Sequence, residues 1–124
     1  MNEKKKETGI YTPTECKKFI LPVRDVIDII GGKWRLPIII ALSFKIHRFK
    51  ELERQIEGIT PRMLSKELKE LEINGLVNRE VFNTMPVSVQ YSLTDYGKSL
   101  DKVIETMRDW GLTHRNKIMN NNYA

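Results

Sequence analysis

Arg62, Ser65, Lys66 and Lys69 are hydrogen-bonding side chains spaced so that, on a helix, they share one side. At about 100° per residue, Leu64, Leu68 and Leu71 gather within roughly 60° of one another on the opposite side. Glu67, Glu70 and Glu72 fall on the flanks. Arginine carries paired donors that match a guanine edge, lysines meet phosphates, and serine reaches either. Such a helix has the chemistry to read duplex DNA. An ordinary solvated face has the same composition, so the neighbouring elements must decide.

Residues 48–79 read as two short helices joined by a glycine turn and running straight into a strand. Phe49, Leu52 and Ile56 are the inward positions of the first helix, over 49–56, and Gly58 supplies the turn. Thr60 and Pro61 form the cap and first residue of the second helix, predicted over 61–74. Asn74-Gly75 stops it, glycine being the usual left-handed cap. Two strands follow, over 76–82 and 87–93. The second alternates Val87, Val89, Tyr91 and Leu93 with Ser88, Gln90 and Ser92. A helix-turn-helix followed by a hairpin is a winged arrangement, with the second helix aimed at the major groove.

Arg79 and the loop residues Asn83 and Thr84 are candidates to meet the DNA backbone or minor groove, with a plain structural hairpin as the alternative. Thr60 and the free N–H groups of the helix start suit a phosphate. Lys33, Arg35, Arg48 and Lys50 precede or open helices and are candidate backbone contacts.

Other elements must hold these. Residues 1–15 read as a flexible arm, and 16–120 as one domain. Val23, Val26, Ile27 and Ile30 mark a short amphipathic helix over 23–30, ended by Gly31-Gly32. A central helix follows to about Phe44, with Pro37 in its first turn and residues 38–42 apolar all round. Thr94-Asp95 caps a closing helix whose stripe of Leu100, Val103, Ile104, Met107 and Trp110 runs on towards Ile118. At up to about 36 Å, this helix is long for so small a core. Part of this stripe, Val103, Ile104, Met107 and Trp110, is therefore expected at a homodimer interface, with packing inside the monomer as the competing account. A two-fold dimer is favoured because one recognition helix reads too little DNA for useful specificity.

The chain has 124 residues and, with 21 Lys+Arg against 16 Asp+Glu, a formal net charge of +5. This size gives one domain, and this charge attracts polyanions, chiefly nucleic acid or an anionic membrane surface. The opening MNEKKKETG has no signal-peptide character, and the longest apolar run, residues 36–42, is far short of a membrane span. A cytoplasmic protein is expected. Cys16 is the single cysteine, which fits a reducing compartment.

Several segments resemble the HxlR-type winged-helix transcription regulators. They are Gly31-Gly32-Lys33-Trp34, Arg48-Phe49-Lys50-Glu51-Leu52, and the run from Gly58 through Ser65. Leu68 through Glu72, Asn74-Gly75-Leu76-Val77, Arg79, Pro86-Val87, Val89, Tyr91-Ser92-Leu93-Thr94 and Gly97 through Leu100 continue the match in order, over about residues 21–112. The resemblance implies a mainly α fold with a small β-hairpin. It also implies a dimeric bacterial DNA-binding regulator whose N- and C-terminal helices build the interface, which would place Val23, Val26, Ile27 and Ile30 there with the closing helix. One departure matters. Many members carry a cysteine just before the Pro-Val of the first helix, and some use it to sense electrophiles or oxidants, but this chain has Leu21 there, so that mechanism does not carry over by alignment. Cys16, beside Lys17 and Lys18, is a candidate redox thiol, with an unremarkable thiol on a flexible arm as the alternative.

Catalysis is not expected. His47 and His114 are the only histidines, and neither stands in a catalytic or metal-ligating pattern. No cofactor is implied. The rival reading is a winged-helix module that binds protein without specific DNA recognition, but the outward cations argue against it, since protein-binding faces favour apolar anchors. Repression is the default expectation for so small a regulator. A small-molecule effector is left open, with Trp34 or Trp110 marking where one would sit.

Overall fold

The computed structural model describes residues 12–123. The elements run α1 (Pro13–Ile30), α2 (Arg35–Phe44), β1 (His47–Arg48), α3 (Phe49–Gln55), α4 (Pro61–Ile73), β2 (Val77–Phe82), β3 (Ser88–Leu93), α5 (Asp95–Lys98) and α6 (Asp101–Tyr123). The fold is mainly helical with a small antiparallel sheet, as the pattern predicts.

The core forms where α2, α3 and α4 meet the sheet. Ile38, Ile39, Leu52, Leu64, Leu68, Leu71, Leu76 and Val77 are its fully buried members. The predicted leucine face of α4 is the face that is sealed. Helix α2 is less enclosed than its composition implied: Ile40 and Phe44 reach the surface while Ile38, Ile39, Ala41 and Leu42 are buried. The sheet also differs from the expected two-stranded hairpin. His47 and Arg48 pair antiparallel with Tyr91 and Gln90, giving a three-stranded order β1-β3-β2. The main pairing runs from Val77 opposite Leu93 to Phe82 opposite Ser88. Buried His47 is fixed by Nδ1, which donates to the Lys45 carbonyl at 2.8 Å.

The end of α4 shows how local sequence sets the wing. Gly75 adopts φ +78°. Its N–H donates to the Glu72 carbonyl, and the Leu76 N–H reaches back to the Leu71 carbonyl at 2.9 Å. These two bonds satisfy carbonyls that the helix end leaves open. Thr94 then joins the two ends of the hairpin. Its hydroxyl donates to the Gly75 carbonyl at 2.6 Å and accepts from the Gly97 N–H at 2.9 Å. A Cβ at Gly97 would collide with the Leu76 carbonyl, so this contact requires glycine.

Three boundaries correct the sequence reading. First, α1 begins at Pro13, within the expected arm. Thr12 accepts from the Glu15 N–H at 3.1 Å while the Glu15 carboxylate accepts from the Thr12 N–H at 3.0 Å, a reciprocal cap that starts the helix ten residues early. The first eleven residues of the arm lie outside the described residues. Second, Val87 precedes β3, which starts at Ser88. Third, the closing helix is interrupted after Lys98. Ser99 N–H is shared by carbonyls three and four residues back, and Leu100 N–H bonds only three back, to Gly97. That tightened turn separates α5 from α6.

Candidate nucleic-acid interface

Helix α4 is assembled from its cap outward. The Thr60 hydroxyl accepts the Met63 N–H at 3.1 Å, and Leu64 N–H bonds the Thr60 carbonyl. Pro61 has no N–H to offer. Within the first turn of the helix itself, the Arg62 N–H remains open among the described residues. Thr60 can still donate its hydroxyl hydrogen outward. Beyond the cap, Arg62, Ser65, Lys66 and Lys69 are all exposed, directly opposite buried Leu64, Leu68 and Leu71. Among the described residues, no ion pair engages Arg62, Lys66 or Lys69. Their charge is unneutralised and directed away from the core.

Helix α3 and the wing flank a second cationic feature. A cleft of about 720 Å³ lies between them, bordered by Arg48, Phe49, Lys50, Glu51 and Arg54 on the helix side, three cations to one carboxylate, and by Thr84 through Val89 on the wing side. Arg54 was not among the sequence-derived candidates. Its signal was available, since Lys50 and Arg54 are four residues apart and so share a helix face. Lys50 is loosely paired with Glu53 at 3.7 Å and stays largely exposed. The backbone N–H of Arg48 is held by the Glu51 carboxylate at 2.7 Å, which opens α3. That bond lowers the Glu51 pKa below the usual carboxylate value, and the positive charges of Lys45 and Arg48 add to the effect against some desolvation.

On the wing, Arg79 and Asn83 are exposed. Thr84 braces the loop, its N–H donating to the Phe82 carbonyl and its hydroxyl to the Pro86 carbonyl, each at 2.8 Å. Lys33 is exposed, with Nζ lying 4.8 Å from the centre of the Trp34 ring.

Arg35 is a correction. Its side chain is turned into the protein, with Nε donating to Glu67 at 2.8 Å and Nη1 to the Asp28 and Ile29 carbonyls at 3.1 and 3.0 Å. With these donors engaged, it is not a free phosphate contact. Ile30 is a second correction. At 4% exposure it belongs to the monomer core, and Ile104 packs half-buried against the same core. The other expected interface residues, Val23, Val26, Ile27, Val103, Met107 and Trp110, are exposed.

Cys16 is exposed on α1. It lies five residues from Leu21, roughly 140° away around the helix, so it does not present a thiol where Leu21 stands. Among the described residues, no group of His, Cys, Asp and Glu is arranged to hold a metal ion, and no helix is long and apolar enough to cross a membrane.

A helix-turn-helix, a hairpin wing and an outward cationic recognition helix define a winged helix-turn-helix protein. Comparison with known proteins makes the class specific. The HxlR-like helix-turn-helix family matches residues 29–119, and the chain belongs to that family. It is 36% identical over 110 residues to the HTH-type transcriptional regulator YtcD of Bacillus subtilis, covering 89% of this chain and 87% of that protein. It is 42% identical over 97 residues to YdeP of the same organism, covering 78% of this chain and 76% of the relative. The redox regulator HypR in its reduced form superposes with a TM-score of 0.75 at 38% identity, covering 80% of this chain and 98% of that one. The protein is thus a member of a family of DNA-binding transcriptional regulators.

Proposed function

We propose that the chain acts as a homodimer that binds an inverted-repeat operator and represses transcription from it. The observation that carries this reading is the division of α4 into a sealed leucine face and an outward face with unpaired Arg62, Lys66 and Lys69. In this reading Arg62 reads a base edge, Ser65, Lys66 and Lys69 meet bases or adjoining phosphates, and Thr60 with the Arg62 N–H holds a phosphate. Arg48, Lys50 and Arg54 line a channel for the backbone, with Lys33, Arg79, Asn83 and Thr84 as further contacts. Pairing of copies through α1 and α6 sets two recognition helices about one helical turn of DNA apart. A dimer clamped on a promoter excludes polymerase, hence repression.

Selection from random duplexes at moderate salt tests this. An enriched inverted repeat with half-sites about one turn apart is expected. Salt-sensitive binding without an enriched motif would contradict it. In vitro transcription from a template carrying the selected site then distinguishes repression from activation.

A further inference from the structure

Arg35 ties α1 to the recognition helix through polar bonds at both ends of its guanidinium. The Ile27 carbonyl at the end of α1 is taken by the Gly31 N–H, and the next two carbonyls, of Asp28 and Ile29, accept from Arg35 Nη1. The same guanidinium uses Nε to hold Glu67, in the middle of α4. The pair is well shielded, with side-chain exposures of 20% and 15%. A charged, planar donor group shared in this way fixes direction as well as distance. The junction it spans is otherwise a Gly31-Gly32 turn with Gly32 at φ +91°, and α1 meets the core through Ile29 and Ile30 in its last turn.

We propose that the Arg35–Glu67 pair is a positioning brace that sets the angle of the recognition helix relative to α1, and thereby the half-site spacing that the dimer accepts. This rests on the dimeric operator reading. If α1 pairs with its counterpart, α1 carries the two-fold axis, and α4 carries the base contacts. Each base pair added between half-sites moves one of them by about 3.4 Å along the duplex and turns it by about a tenth of a turn. A rigid link between α1 and α4 rejects such a change. A loosened link tolerates it, while each recognition helix still reads its own half-site. Glu67 lies on the flank of α4, away from Arg62, Lys66 and Lys69, so it can be altered without touching the reading face.

The test measures affinity for a set of duplexes carrying the selected half-sites, with their spacing stepped by single base pairs. Each protein is normalised to its own best duplex, which removes any uniform gain from losing a negative charge. The full-length wild type should lose about tenfold or more for a one-base-pair step. Glu67→Ala, which removes the α4 end of the brace but leaves Arg35 on the α1 carbonyls, should lose less than about threefold, with the same half-site sequence preferred. Glu67→Gln, which keeps an acceptor oxygen for Nε, should retain most of the selectivity. Arg35→Gln should match Glu67→Ala, and if it fails to fold, Glu67→Ala decides alone. A profile as narrow in Glu67→Ala as in wild type overturns the brace, as does an equal loss at every spacing. A wild type that binds single half-sites with no spacing preference overturns the paired-operator reading and the brace together. A sharp wild-type profile unchanged in the variants overturns the brace only.

Discussion

Helices α4 and α1 both carry apolar residues at three- and four-residue steps, yet they meet opposite fates. Leu64, Leu68 and Leu71 of α4 are sealed against α2 and the sheet. Leu21, Val23 and Ile27 of α1 remain at 61%, 52% and 59% exposure. Helix α1 is about 27 Å long, and only its last turn reaches the core. Helix α6 is similar, with Val103, Met107 and Trp110 exposed and Ile104, near its start, packed inward. The residues between these helices build most of the winged-helix core, to which the terminal helices add Ile30 and Ile104 while leaving most of their apolar surface exposed. Full burial of one such side chain contributes about 1.5–3 kcal/mol, so a handful suffices to hold two copies together. The same sequence signal therefore serves two purposes, fold in one region and, on our reading, assembly in the other.

Truncation separates the two most strongly. Leu52→Ala, in the body, should cost about 2–5 kcal/mol and lower the melting temperature equally at every protein concentration. Ile27→Asp, on α1, should leave the dilute melting temperature nearly unchanged but abolish its dependence on concentration, as read by scanning calorimetry over a dilution series. A large concentration-independent loss for Ile27→Asp would place that side chain in the monomer's own core and erase the contrast. Arg62→Ala should weaken binding by about 1–3 kcal/mol at preferred sites with little change on random duplexes. Equal loss on both would make Arg62 a phosphate clamp. Thr60→Ala removes the α4 cap and should cost about 1 kcal/mol of stability by denaturant melts.

The smallest effect concerns pH. The Glu51 carboxylate is depressed by its bond from the Arg48 N–H, so its contribution is present above the unfolded pKa and disappears as pH falls through the lower folded value. Glu51→Gln should flatten that acid-side loss in pH-dependent melts. An unchanged acid limb would show that the carboxylate is not what holds the start of α3.

Much of this was legible in the sequence because it is local. The turn at Gly58, the stop at Asn74-Gly75 and the two faces of α4 follow from residues within a few positions of one another. The start of α1 was also written locally, as Thr12-Pro13-Thr14-Glu15, but Pro22 and the polar residues near Cys16 obscured the helix behind it. Strand β1 has only two residues and no alternation to detect. The role of Arg35 depends on Glu67, 32 positions away, and no local pattern announces such a partner. Ile30 shares its spacing with Val23, Val26 and Ile27, and only the packing of α1's last turn separates it from them.

The most direct measurement is the mass of the full-length protein on its selected duplex by sedimentation equilibrium, across a range of protein concentrations. Division of labour between a reading body and pairing helices predicts two chains per duplex, with Trp110→Asp or Ile27→Asp reducing this to weak, single-chain binding. One chain per duplex at full affinity, unaffected by either substitution, would contradict it.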